Sequence, residues 1–108
     1  MMKRLVTVLL FMVMIASSLN PVVSYAATIA AIETYQNLAT GRCLDSNTSG
    51  SVYTLGCNGG SFQKWNVIAN SDGTRSFRNL ATSRCLDSNT SGSVYTLGCN
   101  GGSFQRWY

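Results

Sequence analysis

The stretch Leu44–Trp65, LDSNTSGSVYTLGCNGGSFQKW, is followed 42 residues later by Leu86–Trp107, LDSNTSGSVYTLGCNGGSFQRW. Alignment of Asn37–Trp65 with Asn79–Trp107 covers 29 positions, and two of them differ. The differences are Gly41 against Ser83 and Lys64 against Arg106. A period of about 20–50 residues indicates a modular architecture in which neighbouring units pack on one another. The repeat therefore decides the fold class before any single strand is considered.

Within one repeat, short strand patterns alternate with turn patterns. SVYTL is rich in β-branched and aromatic residues, which favour strands. SNTSG and GCNGG are rich in Asn, Ser and Gly, which favour turns. No segment after residue 26 has a sustained helical period, so we predict an all-β protein. The predicted strands of repeat one are residues 34–38, 42–45, 51–55 and 61–68. A β-propeller blade has a similar pattern, but its sequence signatures are absent and two blades cannot close a ring.

The first 26 residues have the layout of a secretory signal peptide. A positively charged start, MMKR, precedes the apolar run Leu5–Ile15, and Ser24 and Ala26 are the small residues of a cleavage site. The apolar run is shorter than the ~20 residues of a membrane span, which argues against a membrane anchor. We expect cleavage after Ala26, a mature domain over residues 27–108, secretion to the extracellular space and no membrane association after cleavage.

Charge and composition argue against several function classes. Eight Lys and Arg against four Asp and Glu give a formal net charge of +4, and half of this excess lies in the first 26 residues. The remaining charges are scattered singly, so we predict no nucleic-acid binding. The chain has no histidine, and Asp45 and Asp87 lie in different repeats, whereas glycoside hydrolysis needs two carboxyl groups within about 10 Å. We predict no catalytic residue, no cofactor and no metal site.

All four cysteines lie after residue 26, and export would place them in an oxidising compartment. Four cysteines allow three connectivities, of which the repeat symmetry favours Cys43–Cys57 and Cys85–Cys99. Each bond would close a loop of about 15 residues, which is worth ~3 kcal/mol in the chain-entropy estimate. The rival interpretation, a zinc site, lacks a C-x-x-C pair and any histidine.

Each repeat also carries a Gln-x-Trp motif near its end, Gln63-Lys64-Trp65 and Gln105-Arg106-Trp107. Together with LDSN, VYTL and NGG in the same order, this motif resembles the ricin B-type lectin repeats, and among them the actinohivin-like lectins. The resemblance covers nearly all of residues 35–108. It implies a β-trefoil, in which three four-stranded units surround a pseudo-threefold axis. Repeat one would span residues 35–76 and repeat two residues 77–108.

The resemblance implies one shallow pocket per repeat for high-mannose glycans, with terminal α-1,2-linked mannose as the main ligand. The carbohydrate-binding residues carried over to repeat one are Asp45, Tyr53, Leu55, Asn58 and Phe62. Those carried over to repeat two are Asp87, Tyr95, Leu97, Asn100 and Phe104. The resemblance also implies that the motif residues are structural, with the Trp side chains in the core: Gln63, Trp65, Gln105 and Trp107.

The chemistry of these residue types suits a sugar. A carboxylate accepts two hydroxyl hydrogen bonds, an amide both donates and accepts, and an aromatic ring covers the C–H face. Each residue also has a purely structural interpretation: Asp45 and Asn58 as turn residues and Tyr53 as a packing residue. Two other functions therefore remain open, namely a module for a wall polysaccharide such as xylan or β-glucan, and a structural or protein-binding β domain.

A trefoil takes three units, whereas the sequence contains two. Three explanations remain open at this point: assembly, an incomplete sequence, or a product that folds poorly. In the assembly that we favour, three chains supply six units and complete two trefoils by sharing units. The expected partners are thus glycans and two further copies of the chain.

Overall fold

The structure, a computed structural model, describes residues 31–108, so the predicted signal peptide lies outside the described residues. The described part is all-β, as the sequence predicts, with seven strands and two single-turn 3-10 helices. The strands are β1 (Ala31–Glu33), β2 (Cys43–Ser46), β3 (Val52–Leu55), β4 (Trp65–Ala69), β5 (Arg75–Asn79), β6 (Arg84–Ser88) and β7 (Val94–Gly98). The 3-10 helices are η1 (Ser61–Gln63) and η2 (Ser103–Gln105). Among residues 31–108, no helix is long and apolar enough to cross a membrane.

The strands form two antiparallel sheets. Five strands pair in the order β1-β4-β5-β6-β7, while β2 and β3 form a separate hairpin. The β2–β3 hairpin of repeat one and the β6–β7 hairpin of repeat two have the same register, with Asp45 opposite Tyr53 and Asp87 opposite Tyr95. The sequence repeat is therefore a structural repeat.

The strand predicted over residues 61–68 is wrong in its first part. Residues 61–63 form the 3-10 turn η1, in which the Gln63 backbone N–H donates to the Gly60 carbonyl at 3.1 Å, and the strand begins at Trp65. The turn brings the Gln63 side chain inside, where it is 1% exposed and forms hydrogen bonds. Alternation along a strand could not predict this, because the turn depends on distant partners of Gln63.

The strand predicted over residues 34–38 is also wrong. This segment contributes one isolated bridge, Gln36 to Cys43, and the strand lies earlier, at Ala31–Glu33. The Asn37 side chain accepts hydrogen bonds from the backbone N–H groups of Ala39 and Thr40, which starts a turn and ends the extended backbone.

Strand β5 follows the turn at residues 71–73, in which Gly73 has a φ of 88°.

The cysteines pair as the repeat symmetry predicts, Cys43 with Cys57 and Cys85 with Cys99. No cysteine among residues 31–108 is free. Each bond joins the first strand of a hairpin to the loop that follows the second strand. The bonds therefore hold each hairpin together in a domain that has few buried apolar side chains.

The buried interior is small and largely polar. Its apolar members are Cys43, Trp65, Cys85 and Leu86. Trp65 is completely buried, as expected, because β4 lies between β1 and β5. Trp107, which we expected in the core, is only half-buried, and it forms a single bridge to Arg75.

An open cavity of about 140 Å³ lies between the two repeats. Two pairs of equivalent residues line it, Tyr35 with Phe77 and Leu44 with Leu86. The rings of Tyr35 and Phe77 meet edge to face at 5.7 Å between centroids. Equivalent side chains from both repeats thus line the same cavity.

Candidate functional site

A surface pocket of about 340 Å³ lies on repeat one. It is lined by Asp45, Asn47, Tyr53, Leu55, Asn58, Gly60 and Phe62. All five residues that the sequence nominates for repeat one are among them. Three separate segments contribute: the β2–β3 hairpin, the loop after Cys57 and the turn η1.

The hairpin places a carboxylate beside an aromatic ring. Asp45 in β2 and Tyr53 in β3 are directly opposite in the antiparallel register, and side chains of such pairs lie on the same face of the sheet. Asp45 is 3% exposed and Tyr53 is half-buried. The carboxylate is therefore at the base of the pocket, with the tyrosine next to it.

Gln63 connects the carboxylate to the loop on the other side of the pocket. Its Nε2 donates to Asp45 Oδ2 at 2.9 Å and to the Gly56 carbonyl at 3.0 Å. Its Oε1 accepts the backbone N–H of Asn58 at 2.9 Å. One buried amide thereby orients Asp45 and fixes the loop that carries Asn58, which is the structural role that the resemblance implies for the Gln of the motif.

The turn SNTSG, which follows Asp45, is held by Asn47 and not by Asp45. Asn47 Oδ1 accepts the backbone N–H groups of Ser49 and Ser51, at 3.0 and 3.1 Å. The hydrogen bond that the structure gives to Asp45 comes from the side chain of Gln63. The interpretation of Asp45 as an Asx-turn residue is therefore not needed to explain this turn.

Asn58 does have a turn role, as its position before two glycines suggests. Its Oδ1 accepts the backbone N–H of Gly60 at 2.8 Å. The side chain is exposed, and among residues 31–108 its Nδ2 makes no hydrogen bond. An amide donor is thus available on the wall of the pocket while its oxygen holds the turn.

Two apolar side chains form the outer wall. Leu55 is 42% exposed and Phe62 is 43% exposed. Carbon surface of this kind, next to a carboxylate and an amide, suits a ligand with one polar and one apolar face. The lining residues Asn47 and Gly60 were not nominated from the sequence; the turn composition of SNTSG and GCNGG located their segments but did not indicate that they face a pocket.

Repeat two has the same framework. Gln105 Nε2 donates to Asp87 Oδ2 at 2.8 Å and to the Gly98 carbonyl at 3.1 Å, and its Oε1 accepts the Asn100 N–H at 2.9 Å. The nominated residues of repeat two occupy the same elements as their counterparts: Asp87 in β6, Tyr95 and Leu97 in β7, Asn100 in the following loop and Phe104 in η2.

The two copies differ at the outer wall. Phe104 is 58% exposed, more than its counterpart Phe62, and it lines a separate cavity of about 240 Å³ beside Arg106 and Trp107. Asp87 is buried like Asp45. The base of the site is thus equal in both repeats, and the difference lies at the end of repeat two.

Comparison with known proteins identifies the fold family. Residues 31–108 match the family model described as the ricin-type beta-trefoil lectin domain. The chain belongs to this family. Its fold is accordingly of the β-trefoil type.

Two solved structures of similar fold agree. One is a designed 3-fold symmetric protein, ThreeFoil, with a TM-score of 0.66 and 23% identity over 70% of this chain and 61% of that one. The other is the Haemophilus ducreyi cytolethal distending toxin, with a TM-score of 0.65 and 17% identity over 71% of this chain and 52% of that one. The chain thus spans less than two thirds of the length of either structure.

Proposed function

We propose that this protein is a secreted lectin without catalytic activity that binds mannose-type glycans, chiefly terminal α-1,2-linked mannose, through one shallow pocket per repeat. The observation that carries the proposal is the pocket of repeat one. There a buried carboxylate, Asp45, lies beside an aromatic ring, an amide and two apolar side chains. Membership of a lectin family supports sugar as the ligand class.

The pocket chemistry supports a pyranose ligand. Asp45 would accept adjacent hydroxyl groups, in charge-assisted hydrogen bonds that are stronger than neutral ones. The Asn58 amide would donate to a further hydroxyl group, while Tyr53 and Phe62 would cover the C–H face of the ring. The mannose preference itself rests on the resemblance to the actinohivin-like lectins.

Because the two repeats are nearly identical in sequence, we propose that both pockets bind the same kind of ligand. A single shallow pocket would bind with a Kd near ~1 mM, or about −4 kcal/mol. Linked pockets on a branched glycan raise the apparent affinity by about 10²–10⁴-fold. We therefore propose that useful affinity comes from several pockets acting together.

We further propose that three chains assemble and share their six repeats between two complete trefoils. The half-buried Trp107 at the end of repeat two supports the need for a further unit. So does the open cavity lined by Tyr35, Leu44, Phe77 and Leu86. Secretion is supported by two disulfide bonds and by the signal-like residues 1–26.

Calorimetric titration of the oxidised protein with α-1,2-mannobiose, soluble xylan and a soluble β-glucan tests the ligand. The informative variant is Asp45→Asn with Asp87→Asn, which keeps the side-chain shape and removes both charges. We expect mannobiose affinity to fall at least about tenfold, which is 1.4 kcal/mol per site. Glu33→Gln is the matched control, because Glu33 is exposed, lies outside the pocket and as glutamine keeps an acceptor for the Tyr35 hydroxyl group.

The outcomes separate the parts of the proposal. Binding of xylan or β-glucan in place of mannobiose would overturn the mannose preference and keep the lectin. Unchanged mannobiose binding by the double variant would overturn the site. A folded wild-type protein that binds none of the three sugars would favour a structural or protein-binding domain.

A further inference from the structure

Identical side chains in the two repeats differ in exposure, and the difference follows one pattern. Leu38 and Leu80 are equivalent, yet Leu38 is 102% exposed and Leu80 is 37% exposed. Likewise Asn37 is exposed, whereas its equivalent Asn79 is completely buried. At the start of each repeat, therefore, the residues of repeat two are less exposed than those of repeat one.

The cover at the start of repeat two is the end of repeat one. Asn79 Nδ2 donates to the Phe62 carbonyl at 2.9 Å, and the Leu80 backbone N–H donates to the Lys64 carbonyl at 2.8 Å. In the adjoining sheet, Trp65 pairs with Asn79. These contacts define how the start of one repeat docks on the end of the preceding repeat.

A second part of the same junction involves the hairpins. The Thr96 backbone N–H donates to the Gly50 carbonyl at 2.9 Å, and the Thr96 and Ser46 hydroxyl groups are 3.3 Å apart. Gly50 and Ser46 are buried by this contact. Their repeat-two equivalents are not: Gly92 is exposed and Ser88 is half-buried.

The junction between the repeats is formed by two surfaces, the end of repeat one and the start of repeat two. The chain also exposes the equivalent of each surface, at the end of repeat two and at the start of repeat one. We call the exposed start of repeat one the leading face, formed by Asn37, Leu38 and Thr54. We call the uncovered end of repeat two the trailing face, formed by Ser88, Gly92, Trp107 and the carbonyls of Phe104 and Arg106. The cavity of about 240 Å³ lined by Ser88, Phe104, Arg106 and Trp107 lies on the trailing face.

We infer that the leading face of one chain binds the trailing face of a second copy of the same chain and reproduces the junction between the two repeats. Asn37 Nδ2 would donate to the Phe104 carbonyl of the second copy, and the Leu38 N–H would donate to its Arg106 carbonyl. Leu38 would then lie against the trailing-face cavity. The occupant is a second copy because the contact continues the established interface between the repeats, with the same residue types on both sides.

This contact is heterologous, since different surfaces of the two copies meet. Heterologous contacts form closed rings when their rotation closes and filaments when it does not. The inference rests on the assembly proposed above and specifies its contact faces. It does not depend on which sugar the pockets bind.

Sedimentation and native mass spectrometry of the full oxidised chain test the inference with two variants. Leu38→Asp places a charge on the leading face at a side chain that is fully exposed in the single chain, so the fold of the chain should persist. Leu55→Asp is the matched control: it also places a charge on an exposed leucine, but in the sugar pocket. We expect Leu38→Asp to raise the concentration for half-assembly at least about tenfold, and Leu55→Asp to leave it unchanged.

Sugar titration of the same variants gives the reciprocal result. We expect Leu38→Asp to keep the affinity of a single pocket for mannobiose, and Leu55→Asp to weaken it. If both variants dissociate equally, or if Leu38→Asp stays as trimeric as wild type, the leading face is not the contact. The proposed assembly would still stand in that case. A wild-type protein that stays monomeric would overturn both the contact and the assembly, and sugar binding would remain to be judged by the Asp45 and Asp87 variants.

Discussion

The Nε2 group of Gln63 donates to the buried carboxylate of Asp45 at 2.9 Å, and Gln105 makes the same bond to Asp87 at 2.8 Å. All four side chains are at most 4% exposed. The signature glutamine of each repeat is therefore the group that positions the carboxylate of the site. The structure of the turn and the geometry of the pocket are coupled, because the residue that holds the turn also orients the acidic group.

Gln63→Ala should lower the stability of the protein and, in the same variant, remove the hydrogen bonds that position Asp45 and Asn58 in the pocket. The change would leave the buried Asp45 carboxylate without its donor, and an unsatisfied buried group costs about 1–3 kcal/mol. The Gly56 carbonyl and the Asn58 N–H would also lose their partner. We expect the free energy of unfolding in urea to fall by at least about 2 kcal/mol. Gln36→Ala is the control, because Gln36 is exposed and surface changes stay within about 0.5 kcal/mol. A stability equal to wild type would contradict the role of Gln63.

Ser83→Gly should stabilise the protein. Ser83 has a φ of 61°, and it is the one residue other than glycine with a positive φ among residues 31–108; its counterpart Gly41 has a φ of 72°. A left-handed backbone costs an L residue about 1–2 kcal/mol, and the freedom of glycine in the unfolded chain offsets about 0.5–1 kcal/mol. We expect a gain of about 0.5–1 kcal/mol in urea unfolding, and a similar loss for Gly41→Ser.

Gly98→Ser serves as the control for this pair. A Cβ at Gly98 meets nothing within 4 Å, and this glycine is not among those with a positive φ. We expect a smaller change than for Gly41→Ser. Loss of stability in Ser83→Gly would mean that the hydroxyl group of Ser83 contributes more than its backbone strain costs.

Stability should fall at high pH because of Tyr35. Burial, and then the hydrogen bond and charge of Glu33, raise the pKa of Tyr35 from 10.0 to about 12. Because the pKa of Tyr35 is raised in the folded state, its contribution to the free energy of unfolding is fully present below pH 10. That contribution is lost as the pH rises toward about 12. Tyr35→Phe should remove this part of the decline in unfolding free energy, and it keeps the ring, as the equivalent Phe77 does. Equal pH profiles for the two proteins would contradict this assignment.

Removal of either disulfide bond should cost the same. Both bonds join residues 14 apart in sequence, so their loop-closure entropies are equal. Replacement of Cys43 and Cys57 by serine should lower the free energy of unfolding by ~3 kcal/mol, and the Cys85 and Cys99 pair by a similar amount. Thermal unfolding of the two double variants measures this. Very different losses would show that the repeats do not contribute equally to stability.

Much of the site could be predicted from the sequence, because it depends on positions within one repeat. The cysteine pairing follows from repeat symmetry, and Asp45, Tyr53 and Phe62 line one pocket as their motif implied. Asn47 could not be predicted as a lining residue, because turn composition indicates where a chain bends and not which cavity it borders. The 3-10 turn at Ser61–Gln63 was missed for a related reason, since the buried partners of Gln63 lie up to 18 residues away.

By itself the sequence determined the all-β class, the two equivalent units and the pairing of the cysteines. These properties depend on local pattern and repeat symmetry, which are the same in both copies. Only the tertiary structure decided which of two equivalent side chains is buried and which is exposed. Asn37 and Asn79, or Leu38 and Leu80, have nearly the same neighbours in sequence, yet Asn79 and Leu80 hydrogen-bond to the end of repeat one and their equivalents are exposed. Exposure is a property of neighbours in space, and two identical stretches of chain acquire different neighbours once one docks on the other.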